Sequence, residues 1–379
     1  MPDADIIAKI GRGVAALPAE EWDACNGAGN PFLSHAFLSA MEDSGSVGRG
    51  SGWTSAPIVI EDDAGAIAAA LPAYLKSHSQ GEYVFDQSWA HAFESAGGRY
   101  YPKLQIAAPF SPVPGPRLLL RDKALAQPLL NAAEALVLQN GLSSAHASFV
   151  APDQIAHFEE AGWLIRTDSQ FHWKNRDYGS FDDFLGALSS RKRKNIRKER
   201  AAAQGAVHIE RLTGEAIRPE HWDAFWLFYQ DTGARKWGHP YLTREAFDLL
   251  GQRMGDRIVL VLAYDGDMPI AGALNLLGPD TIYGRYWGAL AEVPFLHFEL
   301  CYYQAIDIAI ERGLATVEAG AQGQHKLARG YEPTPTYSAH FIADEGFRDA
   351  VDDFLTRERE AVAQEIEFLN EMGPFRKSD

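Results

Sequence analysis

Two stretches of the chain carry the same order of hydrophobic and polar positions. In the first, the apolar runs Ile58–Ile60 and Ala66–Leu75 flank a short turn that is rich in Asp and Gly. In the second, Ile258–Tyr264 and Pro269–Leu277 flank another turn of the same composition. Apolar runs of strand length on either side of such a turn predict a β-hairpin. The chain therefore begins two similar structures, about two hundred residues apart.

The elements that follow each hairpin also correspond. After the first hairpin we predict a long loop rich in Gly, Pro and aromatic residues, then a helix, a strand and another helix, at 78–117, 123–140, Ala145–Val150 and after Pro152. After the second hairpin we predict a strand, a helix ended by Gly313, and two strands, at Thr281–Trp287, 295–312, Thr316–Ala319 and Tyr337–Ala343. A hairpin whose helix crosses to a parallel neighbour is an α+β unit. We predict two such units, 1–177 and 178–379.

Composition and motifs narrow the class of protein. The chain of 379 residues is 46% apolar with a net charge of −16, so an ordinary folded protein that repels DNA is expected. Its two cysteines, Cys25 and Cys301, lie far apart, and the histidines show no ligand spacing, so no disulfide framework or metal site is predicted. The sequence shows no signal peptide and no apolar run long enough to span a bilayer. We therefore expect a soluble, cytoplasmic protein.

The densest charged segment is Arg191–Arg200, which holds seven basic residues and one acid. It follows Ser189-Ser190 and opens a predicted helix, where cations oppose the helix dipole and free N–H groups already favour an anion. A solvated helix face is the plainer interpretation of such a charge run. The alternative is a site for the phosphates of a ligand, whose candidate residues are Arg191, Lys192, Arg193, Lys194 and Arg197.

The segment that begins at Glu318 combines an acid, three glycines and several polar residues before Gly330. Small residues let a ligand approach the backbone, and polar side chains between them can reach it. A glycine-rich surface loop is the plainer interpretation. If the segment is a site, its candidate substrate-binding residues are Gln322, His325, Lys326 and Arg329.

Glu299 lies on the apolar stripe of the predicted helix 295–312, together with Tyr303 and Ile306. A buried carboxylate must be paired, or its pKa rises. Glu299 is thus a candidate general base or, with equal weight, a structural acid bonded to Arg285, a tyrosine or the backbone. His297 lies on the opposite face of the helix, so solvent is its expected neighbour, although its place in the first turn could also aim it at a ligand.

In the first half, aromatic and charged residues cluster in the predicted loop. Such groups suit a sugar, peptide or nucleotide ligand, and the candidates are Asp86, Tyr101, Lys103 and Arg117. Burial under the loop is the plainer interpretation for Trp89 and Phe93.

Several longer motifs resemble known families. The segments LSSRK at 188–192, NIRK at 195–198 and GAV at 205–207 resemble the FemABX aminoacyl transferases. Five further segments resemble a bacterial family of predicted N-acyltransferases (DUF482) linked to peptidoglycan biosynthesis: GEYVFDQSWAHAF, YYPKL, PFSPVPGPR, LHFELCYYQAI and EAGAQGQHKLARGY. The resemblance implies two tandem units of the acyl-CoA N-acyltransferase (GNAT) fold.

The resemblance also implies an activity, the transfer of an acyl or aminoacyl group to an amine acceptor such as a peptidoglycan precursor. It suggests that Glu318 and the loop after it line the transfer site, with Glu318 or Glu299 as general base. Because FemABX enzymes bind the acceptor in the cleft between their units, it also favours Lys103 and Arg117 as acceptor ligands.

The sequence leaves the acyl donor open. A GNAT unit that binds CoA has a glycine-rich pyrophosphate loop before its central helix, and residues 288–294 lack it. The other possible co-substrate is aminoacyl-tRNA, bound by the basic segment. The acidic remainder of the chain would, however, repel a bulky tRNA. No tightly bound cofactor is expected, and the acceptor would be a small molecule or a peptide. A non-catalytic GNAT-like protein that binds a cell-wall or nucleotide ligand is the alternative to an enzyme.

Overall fold

The structure is a computed structural model that describes residues 6–27, 29–236, 240–320 and 323–376, without the side chains of 233–236 and 324. It divides into two compact units. Unit 1 comprises residues up to Asp168 together with Pro335–Ala363, and unit 2 comprises Ser169–Thr334 together with the residues from Gln364 onward.

Unit 1 contains two sheets. Its strands are β1 (Ala8–Ile10), β2 (Trp53–Ser55), β3 (Ile58–Glu61), β4 (Ile67–Leu71), β5 (Ala73–Lys76), β6 (Lys103–Ile106), β7 (Leu119–Leu120) and β8 (Ser144–Val150). Its helices are α1 (Ala19–Asn26), α2 (His35–Asp43), α3 (Gln87–Ser95), α4 (Ala126–Gln139) and α5 (Ile155–Glu160). The predicted first hairpin is the antiparallel pair β3–β4, in a sheet of order β1-β3-β4-β7. In the other sheet β2, β5, β6 and β8 are adjacent in that order, and α4 packs its apolar face on the core between them.

Unit 2 contains one larger sheet. Its strands are β10 (His208–Leu212), β11 (Ile258–Asp265), β12 (Met268–Leu277), β13 (Thr281–Ala289) and β14 (Thr316–Glu318), joined by the second half of β9 (Leu164–Lys174). Its helices are α6 (Phe181–Ala187), α7 (Ser190–Gln204), α8 (Pro219–Lys236), α9 (Arg244–Met254), α10 (Leu296–Phe298) and α11 (Gln304–Glu311), the last two joined by a π-helical turn, Glu299–Tyr303. The strand order is β10-β11-β12-β13-β14-β9. The apolar stripe of the helix 296–311 packs on this sheet, as its periodicity predicts.

Each unit contains one parallel strand pair linked by a helix. In unit 1, β6 and β8 pair over three residues, of which the last are Ile106 and Ala147. In unit 2, β13 and β14 also pair over three residues, of which the last are Tyr283 and Glu318. A helix between parallel strands is the crossover that the sequence order indicates.

The continuation of each parallel pair differs. In unit 1 the chain at Gly115 adds to β8, since the Gly115 amide donates to the Phe149 carbonyl at 3.0 Å and the Ala151 amide donates to the Gly115 carbonyl at 2.9 Å. In unit 2, β13 runs on from Gly284 to Ala289, and no strand within the described ranges pairs with it there on the β14 side. The strand edge beyond the last parallel pair is therefore covered by the chain at Gly115 in unit 1, and it is open in unit 2.

The last strand and helix of the chain return to unit 1. Strand β15 (Glu332–Ile342) pairs antiparallel with β8, for example at His340 with His146. The final helix α12 (Glu345–Glu371) has its residues up to Ala363 in unit 1. The predicted unit 178–379 therefore differs from the observed division, because a strand's sequence does not specify which partner it pairs with.

The region 78–117, predicted as a loop, contains the helix α3 and the strand β6. Asp86 occupies the N-cap position of α3, but its side chain makes no capping hydrogen bond. The carboxylate binds Lys103 instead. An N-cap residue is therefore present in the sequence, but its capping hydrogen bond is not formed. Trp89 is 5% exposed beneath this region, in agreement with its predicted burial.

Candidate active site

Glu318 lies at the end of the paired part of β14, where the edge of β13 begins to open. Its side chain is buried, and within the described residues its Oε2 atom has no hydrogen-bond partner. The Oε1 atom lies 4.0 Å from Nδ1 of His172. Burial raises the pKa of Glu318 to about 8, against the opposing effect of the Lys174 and Arg285 charges. A carboxyl with a free oxygen and such a pKa can take a proton from an amine.

Lys326 is the second buried titratable group of this region, with 1% of its surface exposed. It lies in the 3-10 turn Gln324–Arg329, and its Nζ donates to the Gly320 carbonyl at 2.7 Å. Burial lowers the pKa of Lys326 to about 7. An amino group that donates to one acceptor keeps at least one N–H bond for another oxygen.

His325 and the helix 296–311 form an aromatic wall next to Lys326. His325 is exposed, and its Nε2 lies 2.8 Å from the hydroxyl of Tyr302. The His297 ring lies 5.2 Å from the Trp287 ring and 5.3 Å from the Tyr302 ring. His297 therefore faces solvent only in part. The side chain is half-buried among these rings, because the π-helical turn after Phe298 departs from the regular spacing assumed for the helix.

Arg329 is buried at the end of the same turn. Its Nη2 lies 3.0 Å from both carboxylate oxygens of Glu199, and its Nη1 donates to the His325 carbonyl at 2.8 Å. Its guanidinium stacks on the Phe298 ring at 3.4 Å. These contacts engage both terminal nitrogens of Arg329, whereas its Nε has no hydrogen-bond partner among the described residues. The sequence does not single out Glu199 itself, because it is one acid within a basic run.

Glu299 is fully buried and fully engaged. Its two oxygens accept hydrogen bonds from Nε and Nη2 of Arg200 at 3.1 and 3.0 Å. Nε2 of Gln204 and Nε2 of Gln304 donate to Oε1 at 2.9 and 2.7 Å. A carboxylate with four donors is typical of a structural acid, the alternative that the stripe position left open. Its observed partner is Arg200 and not Arg285.

The basic segment forms the first turns of α7, as predicted. Within the described chain, Arg191, Lys192, Arg193 and Lys194 form no ion pair, whereas Arg197 lies 2.8 Å from Asp182 with both side chains exposed. Ser180 caps the preceding helix by accepting from the Asp183 amide at 3.1 Å. Free cations in the first turn of a helix can bind an anion.

An open groove of about 570 Å³ lies at the N-terminal end of the helix 296–311. Its lining includes Trp287, His297, Asp231, Glu292 and Pro294. Two carboxylates repel a pyrophosphate, and proline offers no N–H to hold one. This agrees with the absence of a glycine-rich loop in the sequence.

The structure brings three of the four predicted residues of unit 1 together. Nζ of Lys103 donates to Asp86 and, at 2.8 Å each, to Glu82 and to the Ser79 hydroxyl. The Tyr101 hydroxyl lies 2.7 Å from the same Ser79 oxygen. Lys103, Asp86 and Glu82 are each at most 3% exposed, so this cluster is an internal network.

Lys76 and two histidines extend this network, which we call the buried network of unit 1. Nζ of Lys76 lies 3.3 Å from Glu82, and burial lowers its pKa to about 7. Nδ1 of His146 lies 2.7 Å from Nδ1 of His340, and burial lowers the pKa of His146 to about 3. These partners come from separate parts of the chain, and no spacing in the sequence indicates that they meet.

Arg117 lies apart from that network and is fully buried. Its Nε donates to the Ser148 carbonyl at 2.6 Å and its Nη2 to the Val113 carbonyl at 2.7 Å. These bonds fasten the segment 113–117 to β8, so Arg117 closes the strand edge of unit 1. The donors with which it was predicted to bind an acceptor are engaged by the backbone.

Three further observations concern the predicted ligands and the class of protein. Gln322 lies outside the described residues. Within the described ranges, no group of three or more His, Cys, Asp or Glu side chains is arranged to hold a metal ion. None of the described helices is both long and apolar enough to cross a membrane.

Known structures share this architecture. The chain is similar to FemX at 12% identity and a TM-score of 0.55, over 89% of this chain and 98% of that one. It is also similar to the C-terminal domain of a putative lysylphosphatidylglycerol synthetase from Agrobacterium fabrum, at 10% identity and a TM-score of 0.52, over 89% and 96%. L-PGS from Bacillus licheniformis matches at 10% identity and a TM-score of 0.50, over 84% and 95%.

These likenesses confirm the predicted α+β class with two tandem GNAT-like units. Comparison with curated proteins gives no match. A family model described as peptidoglycan biosynthesis/recognition matches residues 13–377. The chain therefore belongs to the FemAB-like family.

Proposed function

We propose that this protein is a transferase that forms an amide by moving an aminoacyl or acyl group from an activated ester to an amine. The observation that carries the proposal is Glu318, a buried carboxyl with a free oxygen and a raised pKa beside an open strand edge. A carboxyl kept in this state costs folding free energy, and groups of this kind are concentrated in active sites.

The reaction follows from the groups at this edge. The amine nitrogen attacks the ester carbonyl carbon, and the Glu318 carboxylate takes the proton that the nitrogen loses. A carbon–nitrogen bond forms, and the bond between the carbonyl carbon and the leaving oxygen breaks. The proton then passes to the leaving oxygen, which restores the carboxylate. The Lys326 amino group can donate an N–H bond to the carbonyl oxygen as negative charge develops there.

The basic helix and the acidic groove favour an RNA-linked acyl donor over acyl-CoA. Arg191 and Lys194 are cations without an ion pair within the described chain, and they can hold the phosphates of an RNA 3′ end. The groove in which a GNAT unit would hold the CoA pyrophosphate is lined here by Asp231 and Glu292. We therefore propose an aminoacylated RNA as co-substrate.

The family description indicates the acceptor. The chain belongs to a family described as peptidoglycan biosynthesis/recognition. We propose that the acceptor is a free amine on the peptide of a peptidoglycan precursor. The aromatic wall formed by Trp287, His297 and His325 is suited to pack against such a ligand.

The test is an amide-formation assay read by mass spectrometry. Aminoacylated minihelix RNA, acetyl-CoA and a UDP-linked muropeptide are incubated with the wild-type protein, Glu318→Gln and Glu332→Gln. Glu332 provides the matched control, because it is an acid of unit 2 that is paired with Arg176 near the surface. Loss of a general base lowers the rate by about 10²–10⁴-fold, so Glu318→Gln should lose turnover while ligand affinity stays within about threefold.

Three other outcomes would change the proposal. Product from acetyl-CoA and none from the RNA would make CoA the donor. Ligand binding without any product would support a recognition protein in place of an enzyme. Full activity of Glu318→Gln would exclude Glu318 as the base.

A further inference from the structure

A partly buried ion pair joins the basic helix α7 to the turn that carries Lys326. Glu199 and Arg329 form this pair, with side chains that are 17% and 8% exposed. The Tyr303 hydroxyl donates a hydrogen bond to the same carboxylate. The cations that open α7 have no ion-pair partner within the described chain, whereas Glu199, one to two turns later, binds the turn of the candidate site.

Arg329 fixes the shape of the turn as well as its place. It donates to the carbonyl of His325, the residue that directly precedes Lys326, at 2.8 Å. Its guanidinium also stacks on Phe298 at 3.4 Å. A displacement of Glu199 would therefore move the backbone on which Lys326 is carried.

The pair is a costly way to hold two elements together. Apolar residues of similar volume stabilise a buried contact as well as or better than two desolvated charges do. What an ion pair adds is one defined geometry, because a guanidinium and a carboxylate meet in few orientations. A contact of this kind is expected where register between two elements matters.

We infer that Glu199 and Arg329 are positioning residues that hold the Lys326 turn in register with the basic helix. An acyl donor bound through its phosphates to α7 then presents its carbonyl at a fixed distance from Lys326 and Glu318. The inference rests on the proposed function. It assigns Arg329 an action through Glu199 in place of direct contact with substrate.

The test uses the full chain and four variants. Glu199→Gln and Arg329→Gln each remove one charge, and Glu199→Arg with Arg329→Glu exchanges the two. Asp307→Asn is the matched control, because Asp307 pairs with Arg200 of the same helix, at 2.6 Å, and makes no hydrogen bond to the described side chains of the turn. Hydrogen exchange of the amides at 325–330 is measured without ligand, and kcat and KM are measured with aminoacylated minihelix RNA.

Each charge-removing variant should speed amide exchange at 325–330 by about tenfold or more. The control variant should exchange at nearly the wild-type rate. It should lower kcat by at least about tenfold and leave KM for the RNA within about twofold, since the cations that bind it are intact. The exchanged pair should recover part of both losses. A purely structural pair would change the melting temperature without this separation of kcat from KM.

Two results would overturn the inference. The first is unchanged exchange at 325–330 in both Glu199→Gln and Arg329→Gln. The second is a loosened turn with unchanged kcat. A wild-type protein that transfers nothing would refute the proposed function instead, and the exchange data would still decide whether the pair holds the turn.

Discussion

Unit 1 and unit 2 contain the same parallel strand pair but finish it differently. In unit 1 the last paired residues are Ile106 and Ala147, and the segment ending at Arg117 covers the edge beyond them. In unit 2 the last pair is Tyr283 and Glu318, and the edge beyond it is open. At the last paired position, unit 1 has the methyl group of Ala147 and unit 2 has the carboxyl group of Glu318.

The difference shows that the same strand arrangement can form a closed structural edge in one unit and an open edge with a candidate site in the other. Unit 1 uses its buried charges on one another, as Lys103 does with Glu82 and Asp86. Unit 2 leaves one oxygen of Glu318 without a hydrogen-bond partner among the described residues. Single oxygens of Glu82 and Asp86 also lack such a partner, but both carboxylates are paired with a lysine, whereas Glu318 forms no ion pair with a lysine or arginine within the described chain. A buried carboxyl without a cationic partner marks a place that is suited to bind a ligand.

The strongest destabilisation is expected in the buried network of unit 1. Lys103→Met leaves two carboxylates without their shared cation, and the free energy of unfolding should fall by about 3–5 kcal/mol. Lys9→Met removes an exposed ion pair with Glu61 and should cost at most about 1 kcal/mol. Urea unfolding of both variants measures the two costs, and near-equal values would show that the network is not structural.

A smaller loss of stability is expected at the closed edge. Arg117→Met removes donors from the carbonyls of Ser148 and Val113, which should cost about 2–3 kcal/mol. The amides of Gly115 and Ala151, which bond the segment to β8, should then exchange faster. Arg121→Met, at an exposed arginine of the same unit, is the control. Slow exchange at Gly115 in Arg117→Met would mean that the edge closes without the arginine.

The third prediction follows from the pKa of Glu318. Its folded pKa of about 8 lies above the ordinary value of 4.5, so the folded state holds the proton more tightly. The stability that this proton provides is complete below about pH 4.5 and is lost as the pH rises towards 8, by about 1.4 kcal/mol per pH unit. Glu318→Gln should therefore gain stability relative to wild type over that range, in urea unfolding at several pH values.

The same pKa predicts a kinetic signature. The transfer rate of the wild type should rise with pH up to about 8, because only the ionised carboxyl accepts a proton. Glu332→Gln should keep this profile. A stability difference between wild type and Glu318→Gln that is constant with pH would show that the carboxyl is ionised throughout.

The least change in stability is expected at the basic helix. Arg191→Gln with Lys194→Gln should change the free energy of unfolding by less than about 0.5 kcal/mol, since both side chains reach solvent. The slope of the logarithm of the RNA-binding constant against the logarithm of the salt concentration should nevertheless become less steep. The change should be about 0.7 for each phosphate that the variant no longer binds. Lys123→Gln, an exposed lysine of unit 1, should leave the slope unchanged. Titrations at several salt concentrations measure both.

Local patterns predicted most of the fold. The hairpins, the helix 296–311 and the helix that opens at Ser190 appear where periodicity and turn residues indicate them. The pairing of β15 with β8 could not be predicted, because strand sequences do not encode their partners. The helix α3 was missed although Asp86 is a common N-cap residue, because the Gly, Pro and aromatic residues of 78–117 are typical of a loop.

The candidate site was predictable in its residue types but not in its contacts. The glycines and polar residues after Glu318 indicated the segment that holds the buried carboxyl, and the stripe position of Glu299 indicated its burial. Glu299 has its hydrogen bonds because it meets Arg200, which lies about one hundred positions away from it in the sequence. The role of Arg329 likewise depends on Glu199, which the basic run conceals.

Acyl transfer at the open edge of unit 2 can be tested most directly by photo-crosslinking. A minihelix RNA whose aminoacyl group carries a diazirine is bound and irradiated, and the modified peptides are mapped by mass spectrometry. We expect crosslinks within 283–289 or 323–331, at similar yield in the wild type and in Glu318→Gln. Crosslinks within 107–117 or 147–151 of unit 1, with none in unit 2, would exclude transfer at this edge.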